Sequence, residues 1–228
     1  MESSVVLFRL GPFMITSIVA TTWGIMLALG VFSWLATRRL TPDPEPLQTV
    51  LEGVVSVIEA AVANVLPERA QLLLPFIGTL WIYILTANLL GLIPGLHSPT
   101  GSLSVTSGLA LLVFLSVHWF GIRTEGLRRY FKHYLSPSPL LLPFHLLSEV
   151  TRTVALAVRL FGNIMSLEMA ALLVLLVAGL LVPVPLLMLH IIEAMVQAYI
   201  FGMLALIYVA GAMQSQQNLD QEEEGSKT

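Results

Sequence analysis

Cysteine is absent from the 228 residues, which removes disulfides, iron–sulfur clusters and thiol nucleophiles at once. Charge is scarce too: 11% of residues are Asp, Glu, Lys or Arg, where a soluble domain carries roughly a quarter. The five histidines (His97, His118, His133, His145 and His190) lack metal-ligand spacing, so no metal site is expected. No phosphate-binding loop and no nucleic-acid patch is present, so neither nucleotide nor nucleic acid is an expected partner. No internal repeat is visible, which removes support for the inverted-repeat layout of many secondary transporters. The first apolar run ends in Thr37-Arg38-Arg39 rather than at a small-residue cleavage site, so no cleavable signal is expected. What remains is apolar: 56% of residues are hydrophobic and the mean hydropathy is +0.85. That balance predicts an integral membrane protein.

A helix needs about 20 apolar residues to cross the hydrocarbon. Five such spans are predicted, at about 13–36, 72–95, 103–122, 145–178 and 185–212, all within a single membrane domain, 1–228. The fourth exceeds a perpendicular crossing, so it is expected to tilt or to begin along the inner interface. The segment 47–66 is ambiguous, with Gln48, Glu52 and Glu59 on one face of an otherwise apolar helix. The positive charges decide between the two readings. With five spans and an external N-terminus, Arg38, Arg39, Arg69, Arg123, Arg128, Arg129 and Lys132 all lie inside, Arg152 lies near the inner surface, and Lys227 falls in the inner tail. A sixth span at 47–66 would move a basic cluster outside, against the positive-inside rule. The segment is therefore read as an interfacial amphipathic helix, in an all-α polytopic protein. TPDPEP (41–46) and LSPSPLLLP (135–143) read as linkers, Val182-Pro183-Val184-Pro185 as an outer turn, and 213–228 as an acidic, solvated tail.

Arg159 is the costly residue. It stands mid-way along an apolar span, where a guanidinium cannot escape burial by losing its proton and costs about 2.5–3.5 kcal/mol on insertion scales. Asn163 lies one turn outward on nearly the same face. Glu168 is about half a revolution away and roughly 13 Å further out, so it cannot pair with Arg159 within the helix. In the fifth span His190, Glu193 and Gln197 form one stripe, with Gln197 expected near the depth of Arg159 and the other two level with Glu168. Asn88, Ser104, Thr106 and Ser107 fall in the same outer zone. Titratable and polar groups thus line the outer half and one fixed cation marks the middle, as an ion relay requires. The blander readings are an ion pair of Arg159 with Glu193 or Glu168, a packed and hydrogen-bonded His190, and Asn163 and Gln197 as interhelical glue. Ala194, Ala198 and Gly202 read as a close-packing ridge, and Arg152 as an inner-surface partner of Glu149.

LAVRLFGNIMSLE resembles the arginine helix of subunit a of the F-type ATP synthase membrane sector. HIIEAMVQAYIFGMLALIYVAGA resembles that subunit's last helix, and PFIGTLWIYILTANLLGLIPG its second-span signature. The resemblance implies a stator ion-channel subunit whose last two helices form a long tilted hairpin against a rotating ring of c-subunits. It implies Arg159 as the essential stator arginine, and Glu168, His190, Glu193, Gln197, Asn163 and Asn88 along an outer half-channel. Glu149 and Ser148 are weaker inner half-channel candidates. The implied partners are the c-ring, the subunit b peripheral stalk, the other synthase subunits, translocated H+ or Na+, and lipid, in a bacterial inner membrane. No cofactor and no nucleotide site is implied in this chain.

Three departures from the family pattern stand out: Leu167 precedes Glu168 where a small residue is common, Thr153 replaces a proline, and Gly91 occupies a position acidic in some members. They suggest a divergent branch, with sodium coupling as one possibility. The competing readings are a stand-alone proton-coupled permease using Arg159 and Glu168, and a structural scaffold with internal ion pairs.

Overall fold

The structure, a computed structural model, describes residues 6–10, 13–38, 46–93, 98–126, 142–178 and 183–225. Six helices carry the described residues: α1 (Ser17–Thr37), α2 (Pro46–Val65), α3 (Ala70–Leu90), α4 (Leu103–Glu125), α5 (Leu142–Ala178) and α6 (Pro183–Gly225). All six are long and apolar enough to cross a membrane. Many threonine hydroxyls are satisfied within their own helix, as hydrocarbon demands: Thr21, Thr22, Thr79, Thr86 and Thr151 each donate to the carbonyl one turn back at 2.7–2.9 Å.

Several boundaries differ from the sequence expectation. A two-stranded antiparallel hairpin, β1 (Val6–Leu10) with β2 (Phe13–Thr16), precedes the helices, so the first span begins at Ser17 rather than near 13. Phe13-Met14-Ile15-Thr16 joins strand-favouring residues to a second such run across Gly11-Pro12, which explains the pairing. The second expected span, α3, stops at Leu90 rather than 95. Pro183 and Pro185, expected in a turn, instead occupy the first turn of α6, where the missing N–H costs nothing. That helix continues through most of the segment read as an acidic tail, since Gln and Glu sustain a helix until Gly225. Gly126 ends α4 with φ 83, a left-handed conformation that favours glycine, and its N–H returns to the Ile122 carbonyl at 2.8 Å. Residues 41–45 and 135–141 of the two expected linkers, with Arg39, His97, Arg128, Arg129, Lys132, His133 and Lys227, lie outside the described residues.

The core is an alternating bundle of α3 to α6. Contacts at both ends of each pair fix the relative directions: Trp81 meets Tyr199 while Asn88 meets Ala194, so α3 and α6 are antiparallel. His118 meets Glu149 while Gly101 meets Glu168, which sets α4 against α5 in the same sense. Arg152 stands over Tyr208 and Asn163 meets Gln197, making α5 and α6 an antiparallel pair in constant register. Buried Leu156, Leu160, Ile164 and Leu167 form the inward stripe of α5.

The expected small-residue ridge on α6 is a packing surface: Ala194 and Ala198 are buried, and the Trp81 indole fills the notch over Gly202. At α5's length of 37 residues, about 55 Å, the helix exceeds a roughly 30 Å hydrocarbon layer and must lean or emerge from it. By contrast α2 packs on α3 only through its second half, with Ile58 and Val62 buried and Gln71 donating to Glu59 at 2.7 Å. Its first half carries Gln48 bonded to Glu52 at 2.8 Å on an exposed surface.

Candidate ion-translocation site

Arg159 lies on an exposed flank of α5, about a quarter-turn round from the Leu156–Leu160–Ile164 stripe that packs inward. It forms no ion pair and no hydrogen bond among the described residues. Along its face run Ser148, Thr151, Ala155 and Ser166, all exposed and short, with exposed Val154, Val158 and Met169 beside them. α6 in turn exposes Met188, Ile191, Ile192, Met195 and Tyr199, the last stacked on Trp81 of α3. The charge therefore stands on a broad apolar wall. An ion pair between Arg159 and Glu168 or Glu193, the blander reading of this arginine, is absent among the described residues.

Polar groups gather behind that wall. Asn163, one turn outward from Arg159, donates from Nδ2 to Gln197 Oε1 at 2.6 Å across the α5–α6 contact. Gln197 is 1% exposed and its Nε2 has no partner among the described residues. It therefore stands one turn outward of Arg159 rather than level with it. The constant register of the two helices brings Glu193 level with Glu168 and His190 slightly further out. His190 is 4% exposed and its Nε2 likewise has no partner among the described residues. Unpartnered buried nitrogens in a polar seam are where ordered water is expected.

Asn88 is fully buried near the outer end of α3, reaching the Ala194 carbonyl at 3.5 Å. Glu168 leans the other way, onto the Pro99–Gly101 turn between α3 and α4: the Ser98 N–H donates to its Oε1 at 3.3 Å. Its carboxylate also fills the space over Gly101, where a Cβ would meet Oε2 at 3.3 Å. Gly91 adjoins the same carboxylate, with a Cβ there 3.6 Å from Oε1 and 3.1 Å from the Ser98 Cβ. Gly91 thus faces the acid that this chain carries on α5.

The hydroxyls in this zone are not the expected ones. Thr106 and Ser107 bond back to carbonyls of their own first turn, and Ser104 and Ser107 are exposed. Ser98 and Thr100, in the preceding turn, reach Asn88 and Glu168 instead. Their signal in the sequence is only a Ser-Pro-Thr-Gly-Ser turn, with no periodicity to point at them.

At the inner end, Glu149 faces His118 Nε2 at 3.4 Å rather than Arg152, and the His118 Nδ1 contacts the Phe114 carbonyl at 2.9 Å. The expected Arg152–Glu149 pair is replaced by Arg152 over the Tyr208 ring at 5.5 Å. A one-turn spacing along one helix does not compete with partners that neighbouring helices bring to each side chain. Both members of the His118–Glu149 pair are partly exposed, so a double-mutant cycle of His118→Ala and Glu149→Ala is expected to give a coupling of only about 0.5 kcal/mol in thermal stability. Ser148 is exposed on the Arg159 face, one residue before Glu149.

Residues 19–210 match the family model described as ATP synthase A chain. The chain belongs to the ATP synthase subunit a family. It is 65% identical over 215 residues to ATP synthase subunit a 2 of Pelobacter propionicus, covering 94% of each chain. It is 68% identical over 212 residues to ATP synthase subunit a 1 of Hahella chejuensis, covering 93% of this chain and 90% of that one. Against ATP synthase subunit a of Legionella pneumophila, the identity is 58% over 209 residues, covering 91% of each. As a member of this family the chain is a multi-pass membrane subunit of an ATP synthase complex, with a role in ion transport and ATP synthesis. Among the described residues no group of His, Cys, Asp and Glu could hold a metal ion.

Proposed function

We propose that this subunit is the stator that exchanges ions with a ring of c-subunits, Arg159 acting as the fixed charge at the exchange point. The observation that carries this reading is an exposed arginine, unpaired among the described residues, on an apolar wall beside a buried polar seam. A cation in that position needs a counter-charge, and a carboxylate on a rotating partner supplies one. Opposite charge nearby favours the ionised carboxylate, so each acid arriving at Arg159 gives up its ion. Once the acid moves on, the positive charge left behind repels any cation trying to pass straight through. The outer half-channel runs through Glu168, His190, Glu193, Asn88, Gln197 and Asn163. Glu149, held by His118, and Ser148 mark the inner one.

In this reading the N-terminus lies outside and the C-terminus in the cytoplasm of a bacterial inner membrane. Five helices cross as one membrane domain, and α2 lies along the inner interface, keeping the basic residues inside. Subunit b packs elsewhere on the stator.

The short side chains beside Arg159 give the direct test. Cysteines at Ala155 and Ser166 are expected to cross-link to a cysteine beside the c-subunit carboxylate in the assembled complex, whereas one at buried Ile164 is not. Equal labelling at all three, or none, would remove the ring from this face. Glu168→Gln is expected to slow ATP-driven ion transport in reconstituted vesicles by on the order of 10²-fold, the scale of a lost proton-transfer group. Solute uptake by this chain alone in liposomes would favour the permease reading instead.

A further inference from the structure

Ser98, Thr100 and Asn88 are buried together where the α3–α4 turn meets α3 and α6, within reach of Glu168. Ser98 Oγ donates to the Ala87 carbonyl at 2.8 Å and lies 2.6 Å from Thr100 Oγ1, which lies 2.6 Å from Asn88 Oδ1. These are three short oxygen contacts, and two hydroxyls bring only two protons to them. If Ser98 bonds the carbonyl and Thr100 bonds Asn88, the contact between the hydroxyls holds no hydrogen and sets lone pair against lone pair. The count closes when the Asn88 amide is turned, since its oxygen and nitrogen are interchangeable in shape and assigned by the network around them. The chain then runs in one direction: Asn88 N–H to Thr100, Thr100 O–H to Ser98, Ser98 O–H to the Ala87 carbonyl. Every short contact has one hydrogen.

We infer that Ser98 and Thr100 are positioning residues of the outer ion path, orienting Asn88 so that its carbonyl oxygen faces α6 while the Ser98 amide holds Glu168. With the amide turned, the 3.5 Å gap between the Asn88 side chain and the Ala194 carbonyl lies between two acceptor oxygens. An acceptor pair looking into the seam, one turn from His190, suits a hydrated cation or a proton-carrying water. A turn that served only to join α3 to α4 would need neither buried hydroxyl. The inference rests on the outer-path reading of Glu168 and Asn88 given above.

The test uses the intact synthase in vesicles whose lumen meets the outer path, with ATP synthesis followed while lumenal pH and lumenal Na+ are varied separately. Thr100→Val keeps the shape of the side chain and removes the hydroxyl; Thr100→Ser keeps the hydroxyl. Thr100→Val is expected to raise the apparent KM for the lumenal ion roughly tenfold, the scale of one buried hydrogen bond, with the maximal rate little changed. Thr100→Ser is expected to restore it.

The inference is overturned if Thr100→Val matches the parent, or if Val and Ser variants are impaired alike. Should Thr100→Val fail to assemble with the c-ring, Ser98→Ala carries the same expectation, and a parent-like KM there overturns the inference equally. Glu168→Gln, measured alongside, separates the two levels. Full synthesis in that variant would sink the outer path itself, while a defect there beside a parent-like Thr100→Val sinks only the role of the hydroxyls.

Discussion

Arg159→Gln is expected to abolish ATP-driven ion transport, lowering its rate by at least about 10²-fold while the complex still assembles with its c-ring. The side chain is exposed and bonded to nothing else among the described residues of this chain, so its removal leaves no cavity and no orphaned internal partner. Stability of the isolated subunit is therefore expected to hold, within about 0.5 kcal/mol. What disappears is the only fixed positive charge mid-way along α5, and with it the force that ionises an approaching carboxylate.

Arg159→Lys is expected to rescue poorly. An ammonium in an apolar setting can release its proton, whereas a guanidinium cannot, and it lacks the planar fork that meets a carboxylate at two points. Transport measured in vesicles, with c-subunit co-purification as the control for assembly, decides it. Preserved coupling in Arg159→Gln would end the stator-charge mechanism.

A defect of the opposite kind is expected from Gly202→Val. Trp81 on α3 is 8% exposed, donates its indole N–H to the Tyr199 carbonyl at 3.2 Å, and stacks on the Tyr199 ring with centroids 5.8 Å apart. A Cβ on Gly202 would occupy the space of that indole. Glycine is required here by close approach, since its helix is otherwise regular. Overpacking of this order costs about 1–3 kcal/mol or more, and the helices would have to separate along the seam that holds Asn88 against Ala194.

The variant is thus expected to lower the melting temperature of the complex in detergent and to reduce the subunit's incorporation. Adding Trp81→Ala is expected to recover part of the loss, because the two changes act on one contact and cannot be additive. Identical behaviour of the single and double variants would mean that the notch is not what limits packing.

The two expectations mark what could and could not be read from residue order. Arg159 is conspicuous in a string of letters because a permanent charge in an apolar run has no inexpensive local explanation. Its distance from Glu168 follows from helix geometry alone. The small-residue spacing of Ala194, Ala198 and Gly202 likewise announces a packing face, though not Trp81 as the group filling it. Ser98 and Thr100 were illegible, since hydroxyls in a turn are ordinary and their meaning comes from Asn88 and Glu168, at sequence separations of 12 and 70. His118 was equally silent. As one of five scattered histidines it signals nothing until α4 lies against α5 and sets it beside Glu149. The Arg152–Glu149 expectation failed for the same reason, local spacing being a poor guide where a neighbouring helix offers a better partner.

Residue order alone makes this a helical membrane protein, places its apolar runs, and sets a fixed cation mid-span without a partner on its own helix. Composition, helical period and the cost of charge in lipid are local quantities, and each is carried in the order of residues. Only the tertiary structure decided which way Arg159 faces, that Gln197 meets Asn163 one turn further out, and that Glu168 rests on a turn 70 residues away. Those outcomes depend on how helices are paired and registered against one another. Packing between distant segments settles that, and no local pattern encodes it.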